Sequence, residues 1–309
     1  MGTADMERCL AKGRMLKFRY KIHRPISCGE LSIVYMGRDI EKSETVIIKE
    51  YFPKTMALRD VDGCSVVCSR PRLKPAFDEW QDDFAQEGQI LQGLQHKHVV
   101  KYRDQFQENG TGYIVTEYCR GVTLSTYKER NFPQEQAKFW GITVPALLEA
   151  LQYIHDKGII HRDLKPGNVL VTREGLPCLI DLGSALDYRH ASTRRLQTTP
   201  GFSPLEFHSK SARLGPWSDY YSLSAILYYA ASGMVPPDVA DRVIEDPIRD
   251  IQLLNSHLSA RLGKVIMAGL SLSPKERPSS LRTFITAVRA EKSFRNLSPN
   301  HTIQTSLFP

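Results

Sequence analysis

Residues 161–171 read HRDLKPGNVLV, and residues 179–185 read LIDLGSA. Asn168 follows Asp163 by five residues, and Asp181 opens an Asp-x-Gly. Between the two stretches, VLVT and CLI flank the turn sequence REGLP, which predicts a short β-hairpin. A His-Arg-Asp triplet is common by chance. The triplet, an asparagine at that spacing and a second Asp-x-Gly beyond a hairpin form a far more specific set, and the rest of the chain is read outward from it.

The chain has 309 residues, of which 41% are hydrophobic and 24% charged, the make-up of a globular protein with two compact lobes or one large domain. Its net charge is +7, but Lys and Arg are spread along the chain rather than gathered into one basic run. No alternation of basic and aromatic residues recommends nucleic acid as a partner. The start, MGTADMERCLAKGRMLKFRY, lacks the apolar core of a signal peptide. The longest apolar run, LSAILYYAAS at residues 223–232, is too short to cross a bilayer and predicts a buried helix. A cytoplasmic location is expected. Six cysteines in a chain of this size do not make a disulfide framework, and Cys64 and Cys68 lack a second Cys or His pair, so free thiols are expected.

Before Gly121 the pattern is that of a sheet. RYKIHRPI, LSIVYMGRD, TVIIKEYF, HVVKYRDQF and TGYIVTEY predict five strands. One amphipathic helix interrupts them, with Phe77, Trp80, Phe84, Leu91 and Leu94 at helical spacing. Glu87 falls on the same stripe. An acid on an apolar face requires a cation, since an unpaired buried charge is costly. After Gly121 the chain turns helical: Pro133 to His155 predicts one helix, kinked at Pro145, and helices return from Ser218 onward. The expected architecture is a small β-rich lobe and a larger helical lobe, linked at Glu117–Gly121.

With the 161–171 and 179–185 set, the chain resembles a eukaryotic-like Ser/Thr protein kinase of a bacterial branch. The run IKEYFPKTMALRDVDG carries the bacterial likeness, together with a longer insert between Lys49 and Glu87. The resemblance implies an α+β, bilobal protein-kinase-like fold: an N-terminal extension at 1–19, an N-lobe at about 20–118, a C-lobe at about 119–290 and a polar tail at 291–309. It implies ATP and Mg²⁺ as cofactors and protein substrates carrying Ser or Thr. Asp163 would orient the substrate hydroxyl and accept its proton, and Lys165 would offset charge on the transferring phosphate. Asn168 and Asp181 would supply hard oxygen ligands to Mg²⁺. Lys49 would hold the α- and β-phosphates and pair with Glu87. A lone Lys in a strand is ordinarily a solvated end and a lone Glu on a helix ordinarily surface; the kinase set is what joins them. The resemblance also places nucleotide contacts at Ser27, Gly29, Ser32 and Val34 and, in the link, at Thr116, Glu117 and Cys119. His161 reads as a packed core histidine, Asp219 as a support for the catalytic loop, and Glu206 with Arg277 as a buried ion pair.

Two departures stand out. In ISCGELSIVY, at 26–35, two of the family's three loop glycines are serines, Ser27 and Ser32; only Gly29 remains, where glycine would let the backbone approach the phosphates. Weakened ATP binding is expected. DLG replaces DFG, with Leu182 able to pack as an apolar plug. A binding module without phosphate transfer is the alternative, resting on the depleted glycine loop. A small-molecule kinase is disfavoured by the segment Thr199 to Glu206, whose Thr199 implies Ser/Thr rather than Tyr specificity. Ser192, Thr193 and Thr198 are candidate phosphorylation sites opposite Arg162, with Arg189, Arg194 and Arg195 nearby.

Overall fold

The computed structural model describes residues 3–189 and 196–297. The chain forms two compact units, residues 1–120 and 121–309.

The first unit opens with a short helix, α1 (Thr3–Glu7), and continues with β1 (Met15–Leu16), β2 (Tyr20–Cys28), β3 (Ser32–Asp39) and β4 (Glu44–Tyr51). A hairpin of β5 (Ala57–Arg59) and β6 (Val66–Cys68) follows, then helix α2 (Lys74–Gln92), β7 (Tyr102–Glu108) and β8 (Thr111–Glu117). Six strands form one antiparallel sheet in the order β1-β2-β3-β4-β8-β7, and β5 pairs only with β6. The five strands expected from the sequence are present; His98–Lys101 stays outside β7, and β1, β5 and β6 are additional.

Alternation decides the two faces of this sheet. Ile33, Tyr35, Val46, Ile48, Glu50, Tyr113 and Val115 are buried on one face. Val34 lies opposite Lys49 on the other. The sheet curls until its ends meet: the rings of Tyr20 on β2 and Phe106 on β7 stack at 5.8 Å, and the Tyr20 hydroxyl donates to Asp104 at 2.9 Å. Helix α2 lies on the Lys49 face. Its Phe77 and Phe84 rings pack on Tyr51 at 5.1 and 5.7 Å, and Gly88 leaves room for Gln105, whose amide donates to the Ala85 carbonyl at 3.1 Å. A Cβ on Gly88 would stand 2.1 Å from that amide, so a larger residue there would displace the Gln105 side chain from this bond. Each buried aromatic contributes roughly 1.5–3 kcal/mol of transfer free energy.

The second unit contains β9 (Val122–Thr123), α3 (Leu124–Lys138), α4 (Val144–Asp156), β10 (Ile159–Ile160), β11 (Val169–Val171), β12 (Pro177–Leu179) and β13 (Leu186–Asp187). Then come α5 (Pro216–Ser232), α6 (Val239–Ile244), α7 (Ile251–Leu254), α8 (Ala260–Gly269) and α9 (Leu281–Leu297). The single helix expected from Pro133 is corrected here. Helix α3 begins nine residues earlier, at Leu124, where the Thr123 side chain accepts from the Thr126 amide. Glu135 departs from helical geometry (φ −114°, ψ 15°), and Phe139–Thr143 widens into a π-turn before α4. Helical backbone runs through Thr143 and Val144 into Pro145, whose missing N–H leaves the preceding turn a bond short, so the kink expected at this proline takes the form of the π-turn directly before it. Helix α5 is buried along nearly its whole length, as its apolar run predicts, and closes on Gly233 in the left-handed region (φ 78°). Among the described residues no helix is long and apolar enough to cross a membrane. None of the six cysteines is in a disulfide, and two of them are buried.

Glu206 and Arg277 form the expected pair, bidentate at 2.7 and 3.0 Å, with the Ser218 hydroxyl on the same carboxylate at 2.8 Å. Arg277→Ala leaves that carboxylate buried with a hydroxyl alone. Such a break typically removes about 3–5 kcal/mol, expected as a lower urea midpoint with an unchanged slope.

Candidate active site

The first unit contributes a cation and the acid that holds it. Lys49 leaves β4 toward α2, and its Nζ donates to both oxygens of Glu87 at 2.9 Å. The acid on the apolar stripe therefore has the cation it needs. The pair is unequal in exposure, Lys49 at 18% and Glu87 at 4%, so the ammonium remains the accessible partner.

Ser27, Gly29, Ser32 and Val34 lie along the β2–β3 turn, with Ser27 paired to Val34. Gly29 donates its N–H to the Ser32 carbonyl at 2.9 Å. Gly29 has no left-handed φ, and an added Cβ would meet only the Ser32 oxygen at 3.4 Å, an ordinary contact. In this conformation the turn tolerates a side chain there. Thr116 pairs with Ile47 across β8 and β4; Glu117 accepts from Arg103 at 3.2 Å, and Cys119 is half-buried and in no disulfide.

The second unit gathers the HRD loop and the Asp-x-Gly turn. The hairpin forms as read, with Val169 opposite Leu179 and Val171 opposite Pro177. It draws the two stretches together: Ile180, the neighbour of Asp181, donates its N–H to the Asn168 carbonyl at 3.0 Å. Asp163, 6% exposed, is held by three side chains. Its Oδ2 accepts from Lys165 at 2.7 Å and from Asn168 at 2.9 Å, and its Oδ1 accepts from the Thr199 hydroxyl at 2.9 Å. Thr199 is fixed in turn by Ser203, whose hydroxyl accepts the Thr199 N–H at 2.8 Å. Ser203 was not legible as a site residue, since a serine beside a proline carries no distinguishing pattern.

Arg162 and Asp181 adopt positive φ, 65° and 59°. Non-glycine residues hold such a conformation only where their surroundings enforce it. For Arg162 the enforcing group is Asp219, whose carboxylate accepts the backbone N–H groups of His161 at 2.8 Å and Arg162 at 3.0 Å, and meets His155 Nε2 at 2.8 Å. His161 is fully buried, as expected of a core histidine, and Leu182 is buried too. The Arg162 guanidinium donates to the Ser184 carbonyl at 3.2 Å, and Arg189 is bound to Asp187 at 2.7 Å. Thr198 is exposed, whereas Ser192, Thr193, Arg194 and Arg195 lie outside the described residues.

Burial alone would raise the Asp219 pKa, but the bonds from His155 and the loop amide outweigh it and hold the carboxyl below its usual range. A depressed folded-state pKa contributes stability above the unfolded value, near pH ~3.9, and loses it as pH falls through the folded value. The wild-type chain is therefore expected to lose stability steeply below about pH 4. Asp219→Asn starts lower at neutral pH and shows a shallower acid limb, read from urea midpoints across that range.

The protein kinase domain family matches residues 20–294. A probable serine/threonine-protein kinase of Clostridium perfringens, CPE1738, is 28% identical over 308 residues, covering 95% of this chain and 40% of that protein. The probable serine/threonine-protein kinase PknB of Lactococcus lactis is 26% identical over 291 residues, covering 91% and 43%. The chain thus spans about two fifths of these relatives' length. A solved structure described as PpkA-294 in its apo form superimposes with a TM-score of 0.79 at 27% identity, covering 91% of this chain and 99% of that one. With the HRD loop, the Asp-x-Gly turn and the Lys49–Glu87 pair in place, the chain belongs to the protein kinase domain family, as a eukaryotic-like Ser/Thr kinase domain of the bacterial type.

Proposed function

We propose that this chain transfers the γ-phosphate of ATP to Ser or Thr hydroxyls of protein substrates. One observation carries the reading: Asp163 engages a hydroxyl, that of Thr199, on one oxygen and the Lys165 ammonium on the other. A carboxylate so placed can take the proton of an incoming alcohol as its oxygen attacks. The Lys165 ammonium stands beside it and can offset negative charge on the phosphoryl group in transfer. Lys49, oriented by Glu87, would hold the α- and β-phosphates. The turn carrying Ser27, Gly29 and Ser32 would cover them, with Val34, Thr116, Glu117 and Cys119 on the remainder of the nucleotide.

Mg²⁺ fits the donors present. Asn168 spends its amide nitrogen on Asp163, at 2.8 Å to the carbonyl and 2.9 Å to the carboxylate, which leaves its carbonyl oxygen to act as a hard ligand. Asp181 brings carboxylate oxygens on the adjoining turn. Among the described residues no cluster of three His, Cys, Asp or Glu assembles, consistent with a metal that arrives with phosphate oxygens and water rather than in an all-protein cage. When bound, Mg²⁺ would neutralise charge on the phosphates. The alternative of a binding module without transfer rests on the two serines alone, and no geometry of the turn favours it.

Asp163→Ala is expected to keep nucleotide affinity while losing about 10²- to 10⁴-fold in turnover with Mg²⁺ and labelled ATP. Lys49→Met, which removes a phosphate-touching cation, should weaken nucleotide binding as well as rate. Unchanged transfer by Asp163→Ala would overturn the assignment. Ser27→Gly with Ser32→Gly tests the turn separately. Raised ATP affinity or turnover is expected if the serines impair it, and a neutral or slower double variant would mark them as adapted.

A further inference from the structure

Residues 5–10 precede the stretch matched by the family, yet they are fastened to both pieces of the first unit assigned to the nucleotide phosphates. One fastening reaches the β2–β3 turn. That turn is pinned to the start of the insert by two backbone bonds, Phe52 N–H to the Leu31 carbonyl and Lys54 N–H to the Glu30 carbonyl, both 2.9 Å. The Lys54 ammonium, in turn, lies 3.3 Å from the Asp5 carboxylate.

The other fastening reaches the strand of Lys49. Arg59, in the insert hairpin, donates from Nε and Nη2 to the Arg8 carbonyl at 2.9 and 2.6 Å. Its Nη1 and Nη2 also bind the Glu50 carboxylate at 2.7 and 2.6 Å, and Nη1 binds the Cys64 carbonyl at 2.7 Å. Glu50 is the residue after Lys49. A third bond joins the same places, the Leu10 N–H to the Tyr35 hydroxyl at 3.0 Å, and that hydroxyl donates to Glu50 at 2.7 Å. Residues 5–10 thus run from the Lys54 ammonium, next to the turn, to the Arg59 guanidinium that is bound to Glu50 on the strand of Lys49.

We propose that residues 5–10 are a positioning strap for ATP, with Asp5 and Arg59 as positioning residues that set phosphate affinity without touching the nucleotide. The proposal rests on the reading of Lys49 and the 27–32 turn as phosphate-holding groups. A turn already held in place avoids the ordering cost that a loose one bears when its ligand binds, so loosening the strap should appear in affinity before it appears in the rate of chemistry. The two fastenings differ in strength. Asp5 and Lys54 are partly exposed, at 28% and 20%, and such pairs contribute little individually. Arg59 and Glu50 are buried, at 6% and 0%, and the guanidinium fork cannot be replaced by an ammonium.

The test uses the full chain and reads the Mg-ADP dissociation constant by calorimetry, KM for ATP, kcat and the thermal midpoint. Asp5→Asn should raise the dissociation constant and KM by about two- to fivefold, the scale of an exposed ion pair, with kcat within about twofold. Arg59→Lys keeps Glu50 paired, so the chain still folds, but gives up the fork that reaches Arg8; an increase of about tenfold is expected. Asp5→Lys combined with Lys54→Glu, which reverses the pair, should restore affinity relative to either change alone. Lower thermal midpoints with the dissociation constant and KM at wild-type values would overturn the strap and leave it a stabilising contact only. If the wild-type chain binds no Mg-ADP, the kinase reading falls and the strap with it, a result seen before any variant is made.

Discussion

The carboxylate of Asp219 is the constraint on which the catalytic loop depends. It is fully buried, and an unpartnered charge there would be prohibitive, but three groups face it: His155, the His161 amide and the Arg162 amide. Two of those bonds are to consecutive backbone N–H groups, which fixes the peptide between them. That peptide carries Arg162 at φ 65°, a conformation a non-glycine residue holds only under compulsion. The turn this produces sets Asp163 where Lys165, Asn168 and Thr199 converge on it. Asp219 comes from the first turn of α5, so the most buried helix of the unit is also the one that aims the reactive carboxylate.

What could be read in advance was what is local or carries its own contradiction. The relation of Asp163 to Asn168 lies within one loop, and the hairpin after it is encoded by two short apolar runs around a turn. Glu87 announced a distant partner because an acid on an apolar stripe has to be neutralised, whereas Lys49, ordinary by itself in a strand, was singled out only by the resemblance. Arg59 carried no such mark. An arginine in a polar insert looks solvated, and only the three-dimensional path of residues 53–69 brings it to Glu50. The start of the long helix was misplaced, at Pro133 rather than Leu124, and the irregular geometry at Glu135 carried no mark, whereas the π-turn at Phe139–Thr143 falls directly before Pro145, where a missing N–H is felt.

Lys49 and Glu50 show how one strand serves two layers. Consecutive residues of a strand point to opposite faces, so the β4 ladder that holds one holds the other. On one face an ammonium meets the carboxylate of α2; on the other a carboxylate meets a guanidinium among aromatic rings, with the Tyr35 and Tyr113 hydroxyls donating to it at 2.7 and 2.9 Å. The residue types differ for a reason. Arg59 is planar and its donors occupy fixed directions, so it joins three carbonyl or carboxylate partners in one geometry. Lys49 carries a compact charge on a flexible stem, which suits the role proposed for it, keeping its anchor on Glu87 while a phosphate approaches.

The same contrast explains why the two pairs occupy different depths. A pair that only joins segments gains from exclusion of water, because every donor and acceptor is already matched and competition from solvent would weaken it. A pair that receives a ligand cannot be sealed in that way. Lys49 retains 18% exposure where Arg59 retains 6%, and each is set against a carboxylate that is itself nearly inaccessible, 4% for Glu87 and 0% for Glu50. The acid is buried in both cases because its role is to orient. The exposure of the cation separates Lys49, the group proposed to meet phosphate, from Arg59, which joins segments of the first unit.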